Sequence, residues 1–287
     1  MSPEGVSTEV RAPDVTLAEL RPPARAAMTA FGALLRRDLA VLRKSLPAFI
    51  MRTVMQPALF VFVFTYVFPK IGQGVGGPGR SEADFASLIV PGVVAIACIF
   101  QGVQSVALPL VQEFGFTREI EDRVMAPLPV WGVAVQKIVS AALQGLLAAA
   151  IVFPLAAVIP STPVHLDVHW PVLLTVAPLA TLLGAAFGLT MGTRVQPHQV
   201  PLMFSVVIIP ITFLGATYYP WERLSPIPWL KVAVLLNPLV YMSEGLRAAL
   251  TPQFPHMNLA AIYGALIGYT CLLTWAGING FRRRVLT

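Results

Sequence analysis

Six stretches of this chain, 45–68, 85–111, 130–159, 170–193, 200–216 and 258–281, are predominantly apolar and run for roughly the length of a membrane-spanning helix. About 20 apolar residues at 1.5 Å each cross a hydrocarbon core of about 30 Å. No water reaches that core to satisfy a free backbone group, so each stretch must close its N–H and C=O groups on itself. The pattern predicts an all-α integral membrane protein with six transmembrane helices. Charged residues make up 12% of the chain, about half of what soluble domains carry. The only cysteines, Cys98 and Cys271, both sit in apolar stretches, which argues against a disulfide framework or a zinc site.

Charge sets the orientation. With six crossings, 15 of the 20 Lys and Arg residues fall on the side of the N-terminus, among them Arg282, Arg283 and Arg284. Only Lys70, Arg80, Arg223, Lys231 and Arg247 fall on the other. The positive-inside rule then places both termini in the cytoplasm. The net charge of +6 flanks the spans rather than gathering on one soluble face, so nucleic acid is not an expected partner. Residues 1–27 are polar and proline-containing, without the apolar core of a signal peptide, and read as a disordered cytoplasmic tail. The membrane domain is expected over 28–287.

Before the first span, Met28, Phe31, Leu35, Leu39, Leu42 and Leu46 are spaced 3, 4, 4, 3 and 4, which is one face of a helix. Arg36, Arg37, Arg43 and Lys44 fall away from that seam. This helix, 28–44, should lie in the inner interface with its cations near anionic headgroups. It serves either as an anchor for the first span or as a contact surface. The glycine-rich run 74–81 imitates a phosphate-binding loop, but Arg80 replaces the lysine and no buried strand precedes it. It reads as a connector.

Polar side chains inside spans must find partners or line a path. Gln56, Gln101, Gln104 and Gln144 are such residues, either as interhelical ties or as pathway wall. Gly184 and Gly188 form a small-xxx-small face for close helix packing.

Two segments outside the spans carry most of the remaining information. The first, 113–129, holds Glu113, Glu119, Glu121 and Asp122 with Arg118 and Arg123, interleaved with Phe114, Phe116, Ile120 and Val124. A short cytoplasmic helix with an apolar docking edge fits that pattern. The second, 218–250, contains Tyr218, Tyr219, Trp221, Asn237, Pro238, Glu244 and Arg247. Its two apolar pieces are too short to cross, so they are expected to dip into the outer leaflet and return, with the aromatics at the interface.

The chain has no nucleotide-binding signature and, on this reading, no carboxylate inside a span. Energy for transport must then arrive through a cytoplasmic contact. In the order and spacing of these features the chain resembles the type 2 ABC transporter permeases, the group of daunorubicin-type drug export and nodulation-factor and polysaccharide export permeases. The resemblance covers roughly residues 28–287 and is strongest over 116–127 and 213–247. It implies a non-catalytic subunit of the bacterial plasma membrane that exports a drug or lipid-like amphiphile, with a part in multidrug or antibiotic resistance. Segment 113–129 would be the coupling helix docked on a separate ATPase, with Glu113, Arg118, Glu119, Glu121, Asp122 and Arg123 as its ion-pairing residues. Two ATPase copies would bind ATP and Mg, this chain holding no cofactor, and two permease copies would enclose the route. Spans one, two and five would line it, with Gln56, Gln101 and Gln104 on its wall.

Glycolipid or polysaccharide export is the alternative within the family. A stand-alone carrier should show inverted repeats and charged midplane groups. A lipid-modifying membrane enzyme would need convergent His, Asp or Glu, for which His165, Asp167 and His169 are the nearest approach.

Overall fold

The computed structural model describes residues 24–67, 70–71, 82–117, 128–160, 164 and 166–286. The expected tail, the connector 74–81, the coupling-helix residues Arg118, Glu119, Glu121, Asp122 and Arg123, and His165 lie outside the described residues. No strand occurs among those described.

Helix α1 (Ala24–Lys44) breaks at Ser45 and is followed by α2 (Leu46–Val67), α3 (Ala86–Gly115), α4 (Val130–Val158), α5 (Trp170–Arg194) and the shorter α6 (Pro197–Phe213). Helices α7 (Pro228–Ala233), α8 (Pro238–Leu250) and α9 (Leu259–Leu286) complete the chain. Five of these helices are long and apolar enough to cross a membrane. The fifth expected span stops at Phe213 because Ala216 takes a left-handed backbone, φ 51°, that no helix continues through.

Helix α3 is the centre of the bundle, enclosed by α4, α5 and α8, while α9 packs along α5. The α3–α5 contact needs glycine. A Cβ on Gly102 would lie 1.9 Å from the Gly184 carbonyl oxygen, and one on Gly188 would lie 2.1 Å from that of Gly102. The small-residue face foreseen at Gly184 and Gly188 therefore meets a backbone, not merely a side chain.

Three of the four π turns among the described residues, Phe62–Val67, Val103–Ala107 and Phe204–Ile208, each end two residues before a proline, Pro69, Pro109 and Pro210; the fourth, Glu113–Thr117, does not. A proline offers no N–H to the carbonyl four residues back, and its ring pushes that carbonyl away. The widened turn relieves the mismatch, with Leu108 reaching back to Val103 and Ile209 to Phe204.

The packed face of α1 differs from the seam drawn on the sequence. Ala27, Ala30, Phe31 and Leu34 pack on the bundle, while Met28 and Leu39 stay exposed. Phe31 belongs to both, and Leu35, Leu42 and Leu46 of the seam are partly buried, so the packed face overlaps the seam and is rotated from it toward Ala27, Ala30 and Leu34. Phe31, Phe114 and Val285 join one cluster, which brings α1, the end of α3 and the end of α9 together at the basic end of the molecule.

Candidate functional site

At this basic end, polar side chains tie α1, α3 and α4 together. Gln136 on α4 donates from Nε2 to Asp38 of α1 at 2.8 Å. One turn-face away, Lys137 donates to both oxygens of Glu113 at 3.0 and 2.9 Å. Both partners of that ion pair are buried. Glu113 was expected to face an outside partner; its carboxylate is held inside the protein instead, because Lys137 enters α4 beside the end of α3. The residue is also a carboxylate at a span end, which the sequence reading had discounted. Phe114 sits edge-on to Phe281 at 5.8 Å, and the Arg284 guanidinium lies 5.1 Å from the Phe114 ring. The last helix thus joins the same knot.

Deeper in the bundle a short amide chain follows. Thr53 of α2 donates to Gln101 Oε1 at 3.3 Å, Gln101 Nε2 to Gln144 Oε1 of α4 at 3.4 Å, and Gln144 Nε2 to Ser140 Oγ at 3.5 Å. Gln101 is therefore an interhelical tie facing the third span. Gln104 lies one turn nearer the basic end, on the π turn that Pro109 imposes, and its Oε1 is buried with no hydrogen-bond donor among the described residues. Gln56 is exposed and borders a small cleft with Arg52, Gln101 and Gln104.

Between these groups α1, α2, α3 and α4 line an open cleft of about 430 Å³. Arg37, Arg52, Gln104 and Ser105 face it from three helices, with Val41 and Phe49 as apolar wall. All four cations singled out on α1, Arg36, Arg37, Arg43 and Lys44, are exposed, and only Arg37 borders this cleft. Sequence reasoning missed Lys137, Gln136 and Asp38 as a set; a lysine and a glutamine side by side in the first turns of an apolar span were the available signal.

The outer segment is more buried than expected. Asn237 caps α8 by accepting from Leu239 N at 3.0 Å and donates to Ile211 O at 2.7 Å; Pro238 fills the first helical position. All residues of α8 except Tyr241 are buried, so it runs inside the bundle rather than in lipid. Trp229, Val232 and Leu236, just before it, are exposed. Glu244 and Arg247 are fully buried and paired, a second carboxylate within the bundle that the sequence reading placed at the surface. Glu244 also accepts from Trp221 N at 2.9 Å and from Met257 N at 2.8 Å. Tyr218 stacks on Phe60 of α2 at 5.2 Å, and Tyr219 is half-buried. Asp167 and His169 serve the fold through their backbone, donating to Leu250 O and Ala249 O at the end of α8.

Breaking the inner pair by Lys137→Met would leave a buried carboxylate without its cation, a loss of about 3 kcal/mol or more. Glu113→Gln together with Lys137→Met should recover much of that loss. Thermal unfolding in detergent across the double-mutant cycle checks this, and equal stability of the single and double variants would refute it.

The sequence profile described as ABC-2 type transporter matches residues 29–251, from α1 to the residue after α8. The inner membrane transport permease YadH of Escherichia coli strain K12 is 25% identical over 235 residues, covering 79% of this chain and 88% of the relative. The YadH proteins of Escherichia coli O157:H7 and Shigella flexneri match to the same extent.

Proposed function

The chain belongs to the ABC-2 type transporter family, and we propose that it is the membrane subunit of an exporter powered by a separate ATPase. It is a transport permease. Its proposed cargo is a hydrophobic or amphipathic molecule, and its proposed home is the bacterial inner membrane, as the name of its relatives says of them. The ATPase, in two copies, would bind ATP and Mg and dock on segment 118–127 of each of two permease copies.

One observation carries the coupling part of this reading. The segment joins the end of α3, which carries Glu113, to the start of α4 at Val130, and Lys137 lies two turns inside α4. Those two residues are ion-paired, α1 is bonded to α4 through Asp38 and Gln136, and α9 meets α3 through Phe281 and Phe114. A displacement of the end of α3 or the start of α4 is therefore shared among four bonded helices. Coupling travels through such contiguous packed and bonded elements.

Co-expression with the ATPase encoded beside the gene, followed by purification through a tag on the permease, tests it. The wild type should retain the ATPase, and Glu121→Arg with Asp122→Arg should weaken that retention by about tenfold or more, since like-charge contact at an interface costs several kcal/mol. A permease that purifies alone in mild detergent would overturn the reading.

A further inference from the structure

A second open cleft lies at the basic end, between α5 and α9. Its volume of about 450 Å³ falls within the 300–1,000 Å³ usual for small-molecule sites, and it shares no lining residue with the cleft under α1. Its charge is one-sided. Arg194 at the end of α5 and Arg283 and Arg284 near the end of α9 border it, and no carboxylate does. The two helices supply none: α5 and α9 contain no Asp or Glu, and the chain has none between Asp167 and Glu222 or after Glu244. Glu113, at the neighbouring end of α3, is committed to Lys137. Cations gathered in this way at a bilayer surface attract anionic headgroups.

The three arginines are not equivalent. Arg284 Nη1 donates to Gly192 O at 3.3 Å and to Val195 O at 3.1 Å, and its guanidinium lies 5.1 Å from the Phe114 ring. It therefore already ties α9 to the end of α5 and to α3. Arg194 and Arg283 are exposed, and the Arg194 guanidinium has no protein partner among the described residues. A guanidinium is the side chain best shaped to grip a phosphate through paired N–H bonds. Asn279 borders the same cleft and adds an amide donor.

The apolar side of the cleft says where the phosphate comes from. Trp275, Asn279 and Arg283 stand at i, i+4 and i+8 on α9, a row about 12 Å long. It runs from aromatic to amide to cation, the order met on passing from the acyl boundary to the headgroups. Trp275 is 65% exposed, and Leu272, one turn further from the arginines, is 56% exposed. The adjacent row begins with the small residues Ala276 and Gly280, which leave a groove backed by α5: a Cβ on Gly280 would lie 2.6 Å from Thr193 Oγ1. A soluble anion has no use for an apolar groove beside its phosphate site, whereas an acyl chain does. We propose that this cleft holds one anionic phospholipid as a resident lipid, with its phosphate on Arg194 and Arg283 and an acyl chain along Trp275 and Leu272, bracing α9 against α5. The site is independent of what the permease carries.

The test uses the full-length permease purified in mild detergent without any ATPase, so its outcome is separate from that of the co-purification experiment. The protein is exchanged with equimolar phosphatidylglycerol and phosphatidylcholine, and the lipids retained per protomer are counted by native mass spectrometry. Phosphatidylglycerol should be retained in preference. Arg194→Gln with Arg283→Gln should keep one fewer phosphatidylglycerol per protomer, its affinity at this site falling about tenfold or more, the scale of one lost charge-assisted contact. Arg36→Gln with Arg43→Gln removes the same charge from exposed positions on α1 that border neither cleft, and should leave the count unchanged. Added phosphatidylglycerol should raise the unfolding temperature of the wild type more than that of the Arg194 and Arg283 double variant. Equal retention of the two lipids, or an equal loss from the α1 control, overturns the site. Equal thermal shifts in wild type and variant overturn the bracing role. Displacement of the lipid by millimolar glycerol phosphate would identify a soluble phosphate as the ligand and overturn the lipid source.

Discussion

Gly188→Ala will unfold at a lower temperature than the wild type, by the equivalent of about 3 kcal/mol, the upper end of what overpacking costs in a filled interior. The sign is what makes the result informative. In a free helix alanine is favoured over glycine by about 1 kcal/mol, so propensity alone predicts a stabilised protein. Here the added methyl would stand 2.1 Å from the Gly102 carbonyl oxygen. A backbone cannot swing aside as a side chain does, so α3 and α5 must separate. Gly102 and Gly184 repeat the situation from both sides, at 1.9 Å from Gly184 O and 2.6 Å from Cys98 O, and the same loss is expected from alanine at either. Gly264 and Gly268 on α9 have nothing within 4 Å of the site a Cβ would occupy. Alanine there should be neutral or slightly stabilising. Thermal unfolding in one detergent, followed by size exclusion, compares all five. If Gly188→Ala is as stable as Gly264→Ala, the close approach of the two helices is wrong.

That glycine face was legible in the sequence because spacing alone defines it. The positions of five spans were legible for a similar reason: length and apolar content are local properties. Three of the four described π turns could also have been foreseen, since each stands at a fixed offset from a proline, whereas Glu113–Thr117 has no proline at that offset. What the sequence hid is which apolar edge faces protein. Lipid tails are as apolar as a leucine side chain, so hydrophobic periodicity loses its meaning within a bilayer and at its border. Helix α1 illustrates this, presenting Ala27, Ala30, Phe31 and Leu34 to the bundle and Met28 and Leu39 outward.

Charges misled for the opposite reason. Glu113 lies just past an apolar run and Glu244 within a short one that sequence logic puts at the outer surface, so each charge is assigned to water or to a partner. Each is instead matched by a cation that the fold delivers: Lys137 from the next helix, and Arg247 one turn on. A pair 24 residues apart has no local signature. The pair at i and i+3 does have one, yet nothing local says that the turn bearing it is enclosed on every side. The cleft under α1 was hidden in the same way, because it exists only where four helices meet.

Glu244→Leu should be among the most damaging single changes in this protein, and more damaging than Arg247→Met. The asymmetry follows from the hydrogen bonds. Removing Glu244 strands a fully buried guanidinium whose remaining partner is Ala216 O at 2.9 Å and whose Nε has none among the described residues. It also strands the N–H groups of Trp221 and Met257. An uncompensated buried charge costs about 3–5 kcal/mol, and each orphaned donor about 1–3 kcal/mol more unless water enters. Removing Arg247 leaves a carboxylate that still accepts two backbone N–H bonds, so part of its compensation survives. The double variant Glu244→Leu with Arg247→Met should lie between the two, since it removes the stranded charge but not the stranded amides. These bonds join α8 to the residues after α6 and before α9, so the loss should appear first as opening of that outer region. Hydrogen exchange at Trp221 and Met257 reads the opening directly, and thermal unfolding gives the order of the three variants. An order in which Arg247→Met is the least stable would mean that the arginine, rather than the glutamate, organises the outer end of the bundle.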